Sequence, residues 1–292
     1  MQRCASCGVA QGDDIKLKWC TACHLVRYCS VKCQKDHRPK HKKECKKRAA
    51  ELKDEILFKQ PESNHFGDCP ICCVPLPIDV SKSALNACCG KRICTGCSFA
   101  NLKRESEEGL QRRCPFCRTA LPKSEEEAIE QLKKRVEAND PVAFCHMGTG
   151  FYNKKQYKSA VEYFTKAAAL GDMEANYQLS RMYREGVGVE KDGEKHLYHA
   201  EKAAIGGHPE ARHNIGCVEG RNGRVDRAAK HWIIASKLGS DYSLNDLKGL
   251  YKDGLVSKDD FSSALRGYQA AIAAVKSPQR EEANLLDWRR GV

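Results

Sequence analysis

Cys69-Pro70-Ile71-Cys72, then Cys88-Cys89-Gly90-Lys91-Arg92-Ile93-Cys94-Thr95-Gly96-Cys97, then Cys114-Pro115-Phe116-Cys117-Arg118: three cysteine clusters lie in one stretch of 50 residues. Two-residue gaps inside each C-x2-C pair are the spacing at which thiolates share a structural zinc ion. Of the 18 cysteines in the 292-residue chain, 16 fall in the first 117 residues, and only Cys145 and Cys217 lie beyond. The amino-terminal Met1-Gln2-Arg3-Cys4-Ala5-Ser6-Cys7 does not read as a secretory leader, and no apolar run approaches membrane-spanning length. Reduced thiols in a cytoplasmic and/or nuclear protein are therefore expected, with zinc rather than disulfides as their partner and with no membrane contact. An oxidised, secreted framework is the competing reading.

The net charge of +12 is uneven. Between Arg27 and Arg48 stand Lys32, Lys35, Arg38, Lys40, Lys42, Lys43, Lys46, Lys47 and Arg48, against only Asp36 and Glu44. Such a run attracts nucleic acid or an acidic partner. No aromatic residues interleave with these cations as a base-stacking surface requires, so a solvated helix face is the preferred reading and nucleic acid is not expected. The segment Lys42 to Arg48 is also compatible with nuclear import.

Residues 1–45 hold eight ligand-like groups: Cys4, Cys7, Cys20, Cys23, Cys29, Cys33, His41 and Cys45. Eight groups make two tetrahedral sets, and so short a segment needs metal to supply much of its folding energy. The segment resembles the MYND-type zinc finger through Tyr28-Cys29, Cys33-Gln34 and His41-Lys42-Lys43-Glu44-Cys45. That resemblance implies interleaved sites, Cys4, Cys7, Cys29 and Cys33 on one zinc, Cys20, Cys23, His41 and Cys45 on the other. His24 and His37 compete for the imidazole position, but His41 stands one helical turn before Cys45, so both can face one ion. MYND fingers often dock proline-rich peptides. Here Arg38 stands where that family has a tryptophan after the histidine, leaving Trp19 and Tyr28 as apolar contacts.

Residues 46–60 carry Ala50, Leu52, Ile56 and Leu57 at helical spacing and read as a helix extending the finger, ended by Pro61. The opening stretch then resembles a RING finger. By that resemblance Cys69, Cys72, Cys94 and Cys97 hold one zinc, and Cys114 and Cys117 share a second with two groups from Cys88 to Lys91. Lys91 falls where the family has histidine, and an ammonium cannot bind zinc. Cys88 beside Cys89 is the expected replacement, in a turn helped by Gly90; a weak or empty site is the alternative. Cys73 reads as a spare thiol. RING fingers active in ubiquitin transfer carry an apolar residue, a proline and an arginine at the places of Ile71, Pro115 and Arg118. The resemblance makes these three the contacts for a ubiquitin-conjugating enzyme, with no cysteine acting as nucleophile; a zinc fold used only for contact is the other reading.

From Ser124 the pattern becomes helical, and Ser124-Glu125-Glu126-Glu127 is a helix start. The tetrads Asp140-Pro141-Val142-Ala143, Asp172-Met173-Glu174-Ala175, His208-Pro209-Glu210-Ala211 and Asp241-Tyr242-Ser243-Leu244 mark a repeat. Five residues on stand Gly148, Ser180, Gly216 and Gly249, small residues where paired helices are expected to meet, and Tyr152, Tyr183 and Tyr251 follow in three units. Gly186 and Gly188 allow a turn between antiparallel helices. These units resemble Sel-one-like repeats, relatives of tetratricopeptide repeats, which implies a solenoid with a concave binding surface. His196, His199, His208, His213 and His231 read as surface or helix-packing residues without a carboxylate set around them. Leu285, Leu286 and Trp288 read as a last capping helix.

The expected fold class is multidomain: two small zinc-stabilised α+β modules followed by an all-α antiparallel helix-pair solenoid. Its parts are a MYND-type finger over 1–46, a helical linker over 47–66, a RING-type finger over 67–121, repeats over 122–276 and a polar tail over 277–292. Neither a phosphate-binding glycine loop nor an HExxH motif occurs. The main functional expectation is a RING-type ubiquitin ligase with four zinc ions that recruits proteins or peptides through its MYND finger and repeats. A non-catalytic scaffold is the alternative.

Overall fold

A computed structural model describes residues 2–285. The chain forms two compact units, Met1–Lys59 and Gln60–Val292. In the first, β1 (Lys18–Trp19) and β2 (Arg27–Tyr28) pair antiparallel, with Lys18 opposite Tyr28. Helix α1 (Val31–Leu57) follows at once. Ser30 caps it by accepting the Cys33 N–H at 3.2 Å, the role a hydroxyl serves at a helix start. The helix begins fifteen residues before the segment 46–60 read from the sequence and carries Cys33, His41 and Cys45 on its own turns. It passes through Pro39, whose missing N–H leaves one backbone bond unmade.

The second unit begins with a small zinc-finger-like module. Strands β3 (Ser83–Leu85) and β4 (Arg92–Cys94) form an antiparallel hairpin, and α2 (Thr95–Glu107) starts directly from β4. Its core is Leu76 and Ile93 among Cys69, Cys94, Cys97 and Cys114.

Nine helices then run in antiparallel succession: α3 (Glu125–Glu137), α4 (Pro141–Asn153), α5 (Tyr157–Ala169), α6 (Met173–Glu185), α7 (Gly193–Ile205), α8 (Pro209–Arg221), α9 (Val225–Lys237), α10 (Asp241–Lys252) and α11 (Lys258–Ala274). From α4 onward they stack as pairs, each packed on its partner and on the next pair. The repeated tetrads are the N-caps of the first helices. Asp140 and Asp172 accept the N–H groups of Ala143 and Ala175, and His208 Nδ1 stands 3.3 Å from the Ala211 nitrogen at the same place in its unit; all three alanines are buried. In the fourth unit the cap is Ser240 and the buried residue Ser243, so the register is one residue earlier than Asp241–Leu244. That shift explains Gly249. A side chain at Gly148 or Gly216 would strike Phe164 or Trp232, and Ser180 bonds His196, but a side chain at Gly249 would meet nothing within 4 Å. Tyr183 stacks on His199 and Tyr251 on Phe261, each across its helix pair. Gly188, at φ +74°, lies so close to Tyr157 that a side chain would fall 2.8 Å from its backbone.

The segment read as a polar tail contains α12 (Pro278–Leu285), which packs on α2 of the zinc module. Leu285 ends it exposed, and Leu286 and Trp288 lie outside the described residues. Arg280 fastens the contact. Only 4% exposed, it donates to the carbonyls of Pro75, Val275 and Val74 at 2.7, 2.8 and 3.0 Å, and its Nη2 lies 3.6 Å from Cys72 Sγ. Gly96 lets it approach, because a side chain there would stand 2.8 Å from the Arg280 backbone nitrogen. On the other side, Arg135 of α3 pairs with Asp140 and covers Gly90.

Arg280→Leu is expected to cost about 2 kcal/mol in urea unfolding of the full chain, because three half-buried carbonyls lose a shared charged donor. Lys103→Gln, which removes the exposed 3.2 Å pair with Glu282 on the same two helices, should cost less than about 1 kcal/mol.

Candidate metal centres and a buried imidazole pair

Four C-x2-C pairs sit in one kind of turn. The N–H groups of Cys4, Cys69 and Cys114 donate to the carbonyls of Val9, Val74 and Thr119, five residues on, at 2.8, 3.0 and 2.8 Å; Cys20 donates to Val26 at 2.8 Å. The carbonyls of the same four cysteines accept from Gly8, Cys73, Arg118 and His24. Those four residues have φ of +75°, +54°, +61° and +55°. Cys73, Arg118 and His24 thus share one left-handed turn position, tolerated because the turn's other bonds fix it. This accounts for the spare thiol of Cys73, whose side chain is exposed and outside the four cysteine sets below.

The turns converge into four sets: Cys4, Cys7, Cys29 and Cys33; Cys20, Cys23, His41 and Cys45; Cys69, Cys72, Cys94 and Cys97; Cys88, Cys89, Cys114 and Cys117. Within each, the donor atoms all lie within 4.8 Å of one another. Both modules interleave their pairs. Thiolates about 2.3 Å from a tetrahedral zinc stand about 3.8 Å apart. The sulfur atoms of Cys7 and Cys29 are 3.6 Å apart, Cys20 and Cys45 3.7 Å, Cys72 and Cys94 3.8 Å, Cys89 and Cys114 3.8 Å, and Cys88 and Cys117 3.4 Å. His41 Nε2 lies 3.2 Å from Cys23 Sγ. These separations fit zinc and are far beyond the ~2.05 Å of a disulfide; all 18 cysteines are free.

Neighbouring Cys88 and Cys89 reach one set because Asn86 closes their turn, its carbonyl accepting from Cys89 and from Gly90, the latter at φ +63°. Lys91 points elsewhere, its Nζ 6.0 Å from the Phe116 ring. His37 lies outside the sets, with Nδ1 3.1 Å from Tyr28 Oη. Of the residues matched to conjugating-enzyme contacts, Ile71 is 41% exposed, Pro115 half-buried and Arg118 exposed. Arg118 donates to Asn101 Oδ1 of α2 at 3.1 Å.

Without an ion the thiols cannot ionise together. A hydrogen bond from Cys94 and backbone N–H groups bring Cys69 down to about 4, and that bond holds the Cys94 thiol far up. Burial and then Cys117 push Cys88 up as well. Only a dication stabilises four such groups as thiolates, so metal binding expels protons.

A further buried cluster joins residues far apart in sequence. His65, on the loop entering the second module, stacks on His208 with ring centroids 4.0 Å apart. Glu174 Oε2 lies 3.4 Å from His65 Nε2 and 3.1 Å from His208 Nε2. Gln178 donates to its other oxygen at 2.6 Å, and His208 Nδ1 is 3.2 Å from Glu210. The donor types suit a metal, but two imidazoles on a tetrahedral ion have centroids about 5 Å apart; the stacked rings are too close. The cluster is an ion-pair network. Burial opposes the charge on His208, but hydrogen bonds to Glu174 and Glu210 outweigh it and raise its pKa. Burial would raise the Glu174 carboxyl, but His208 and His65 hold it well below its ordinary value. His65, its side chain buried beside the same carboxylate, is lowered by that burial. The solenoid histidines are therefore packed rather than superficial, and His208 does carry a carboxylate set.

Family models match a MYND finger over residues 4–45 and Sel1 repeats over 143–172 and 174–208. The chain thus carries a MYND finger followed by Sel1 repeats, modules that mediate protein–protein contact. Among characterised proteins it is similar to DAP3-binding cell death enhancer 1 of Mus musculus, 23% identical over 201 residues, which is 55% of this chain and 39% of that protein. The chain accordingly spans about two-fifths of that relative. Among solved structures it is similar to a Sel1 repeat protein from Oxalobacter formigenes (23% identity, TM-score 0.46, 62% of this chain and 72% of that one). A protective antigen of uropathogenic Escherichia coli with an SLR fold is also similar (22% identity, TM-score 0.41, 65% and 40%). No described helix is long and apolar enough to cross a membrane.

His208→Gln should destabilise the full chain by about 2 kcal/mol, leaving a half-buried carboxylate without its cation. A raised histidine contributes stability that is complete below its ordinary 6.5 and lost as pH rises through the folded value. The difference between wild type and His208→Gln in denaturant unfolding should therefore be larger at pH 6 than at pH 9, where a pH-independent difference would contradict the network.

Proposed function

We propose that the protein is a zinc-dependent interaction scaffold in which the sixteen side chains of the four sets hold four zinc ions, two per finger. The carrying observation is that the sets use every cysteine of both fingers except Cys73. The thiols are thereby committed to structure, and contact surfaces are what the modules offer. The second finger is read as RING-type, tied into the solenoid through Arg280 and the His65 network, so that zinc module and repeats present one continuous surface.

A second reading, RING-type ubiquitin ligase, is favoured by the interleaving of Cys69/Cys72 with Cys94/Cys97 around Cys88/Cys89 with Cys114/Cys117, and by the exposure of Ile71. Against it, the Arg118 guanidinium already serves Asn101. The scaffold reading is therefore preferred.

Two measurements test these readings. Cys88→Ala should lower bound zinc by one ion per chain while Cys73→Ala leaves it unchanged; equal loss in both would sink the ligand assignment. With purified protein and a broad panel of conjugating enzymes, the scaffold reading expects no ubiquitin chains. Chain formation abolished by Ile71→Ala and Arg118→Ala would establish the ligase reading instead.

A further inference from the structure

One face of α1 in the first unit borders a groove of about 470 Å³. Its cationic side is Lys35, Arg38, Lys42 and Lys46, at helical spacings of three, four and four. Val31 and Ala49 continue the same helical stripe at its two ends, Val31 being 68% exposed, and Ala22 and Tyr28 complete the lining from outside the helix. No carboxylate lines it. Among the described residues none of the four cations has an ion-pair partner, whereas Arg48, two residues past Lys46 and off the groove, pairs with both Glu51 and Glu55. Leaving four like charges along one stripe costs stability in the free protein, a cost that a bound anion removes.

We propose that this groove docks an acidic peptide with aliphatic anchors, in extended form along α1. This rests on the scaffold reading and names the chemistry of one partner. Lys35 to Lys46 span about 16 Å at 1.5 Å per residue, the reach of about five residues of extended chain. Carboxylates spaced along such a segment meet the cations, and aliphatic side chains at its ends and along its outer edge lie against Val31, Ala49 and Ala22. Arg38 is the centre of the stripe and sets the preference for anions. Nucleic acid is the other polyanion to weigh. Base stacking has no platform here: Tyr28, the groove's aromatic side chain, is 3% exposed and held by His37.

The test uses the zinc-loaded full chain and fluorescence anisotropy with three labelled probes: a ten-residue peptide alternating Glu and Leu, the same peptide with Lys for Glu, and a single-stranded oligonucleotide of equal charge. Only the acidic peptide should bind well. Arg38→Glu with Lys42→Glu should weaken it roughly tenfold or more, while Lys43→Glu with Lys47→Glu, off the groove and of equal charge change, should weaken it by no more than about threefold. Zinc content of each variant reports whether the finger is intact. If both double variants weaken binding equally, if the acidic peptide fails to bind, or if the oligonucleotide binds tighter, the proposal is overturned. None of these outcomes depends on the solenoid, so failure here leaves the scaffold reading standing.

Discussion

Four thiol-rich donor atoms drawn within 4.8 Å of one another repel as anions and are poor company as neutral thiols; a dication resolves the conflict. The rest of the amino-terminal 120 residues depends on that closure. The apolar core of the second finger is little more than Leu76 and Ile93 between cysteines, and that of the first is Leu17 and Tyr28 in the same setting. Cores of this size do not offset the entropy of ordering fifty residues, so the ligand sets must supply the difference. The four recurring turns, with their left-handed fifth residue, bring the sulfurs near enough for one ion to hold them.

The solenoid is stabilised differently. Its units stack apolar faces around Phe164, Leu179, Ile215 and Trp232, with small residues admitting the larger rings. The zinc module is fused to this stack through polar contacts. Arg280 reaches the carbonyls beside Cys72, and the Glu174 carboxylate is shared between His65 and His208. Polar junctions of this kind gain strength from burial and lose it sharply when one partner is removed. Zinc binding and repeat packing are accordingly coupled within the second unit.

Much of this was legible in the residues. Thiol spacing pointed to the MYND finger and to the cysteine clusters of the second module, and the tetrads marked the helix starts, because capping and C-x2-C turns are local and leave local signatures. The fourth repeat escaped correct registration since Ser240 and Asp241 are both good caps and only burial chooses between them. Arg280 read as part of a polar tail because its partners lie some 205 residues away. The His65, Glu174 and His208 cluster was invisible for the same reason, since no spacing rule connects a loop to two repeats. Arg118 was assigned a partner-facing role by resemblance, while its left-handed backbone and bond to Asn101 became visible only in three dimensions.

The central claim is that zinc closes four interleaved sets. Zinc content combined with X-ray absorption at the zinc edge of the full chain tests it most directly. Fifteen cysteines and one histidine over four sites predict four ions per chain, surrounded almost wholly by sulfur at about 2.3 Å with a minor nitrogen contribution near 2.0 Å. Three ions or fewer in an otherwise folded protein, or an oxygen-rich shell, would contradict the account.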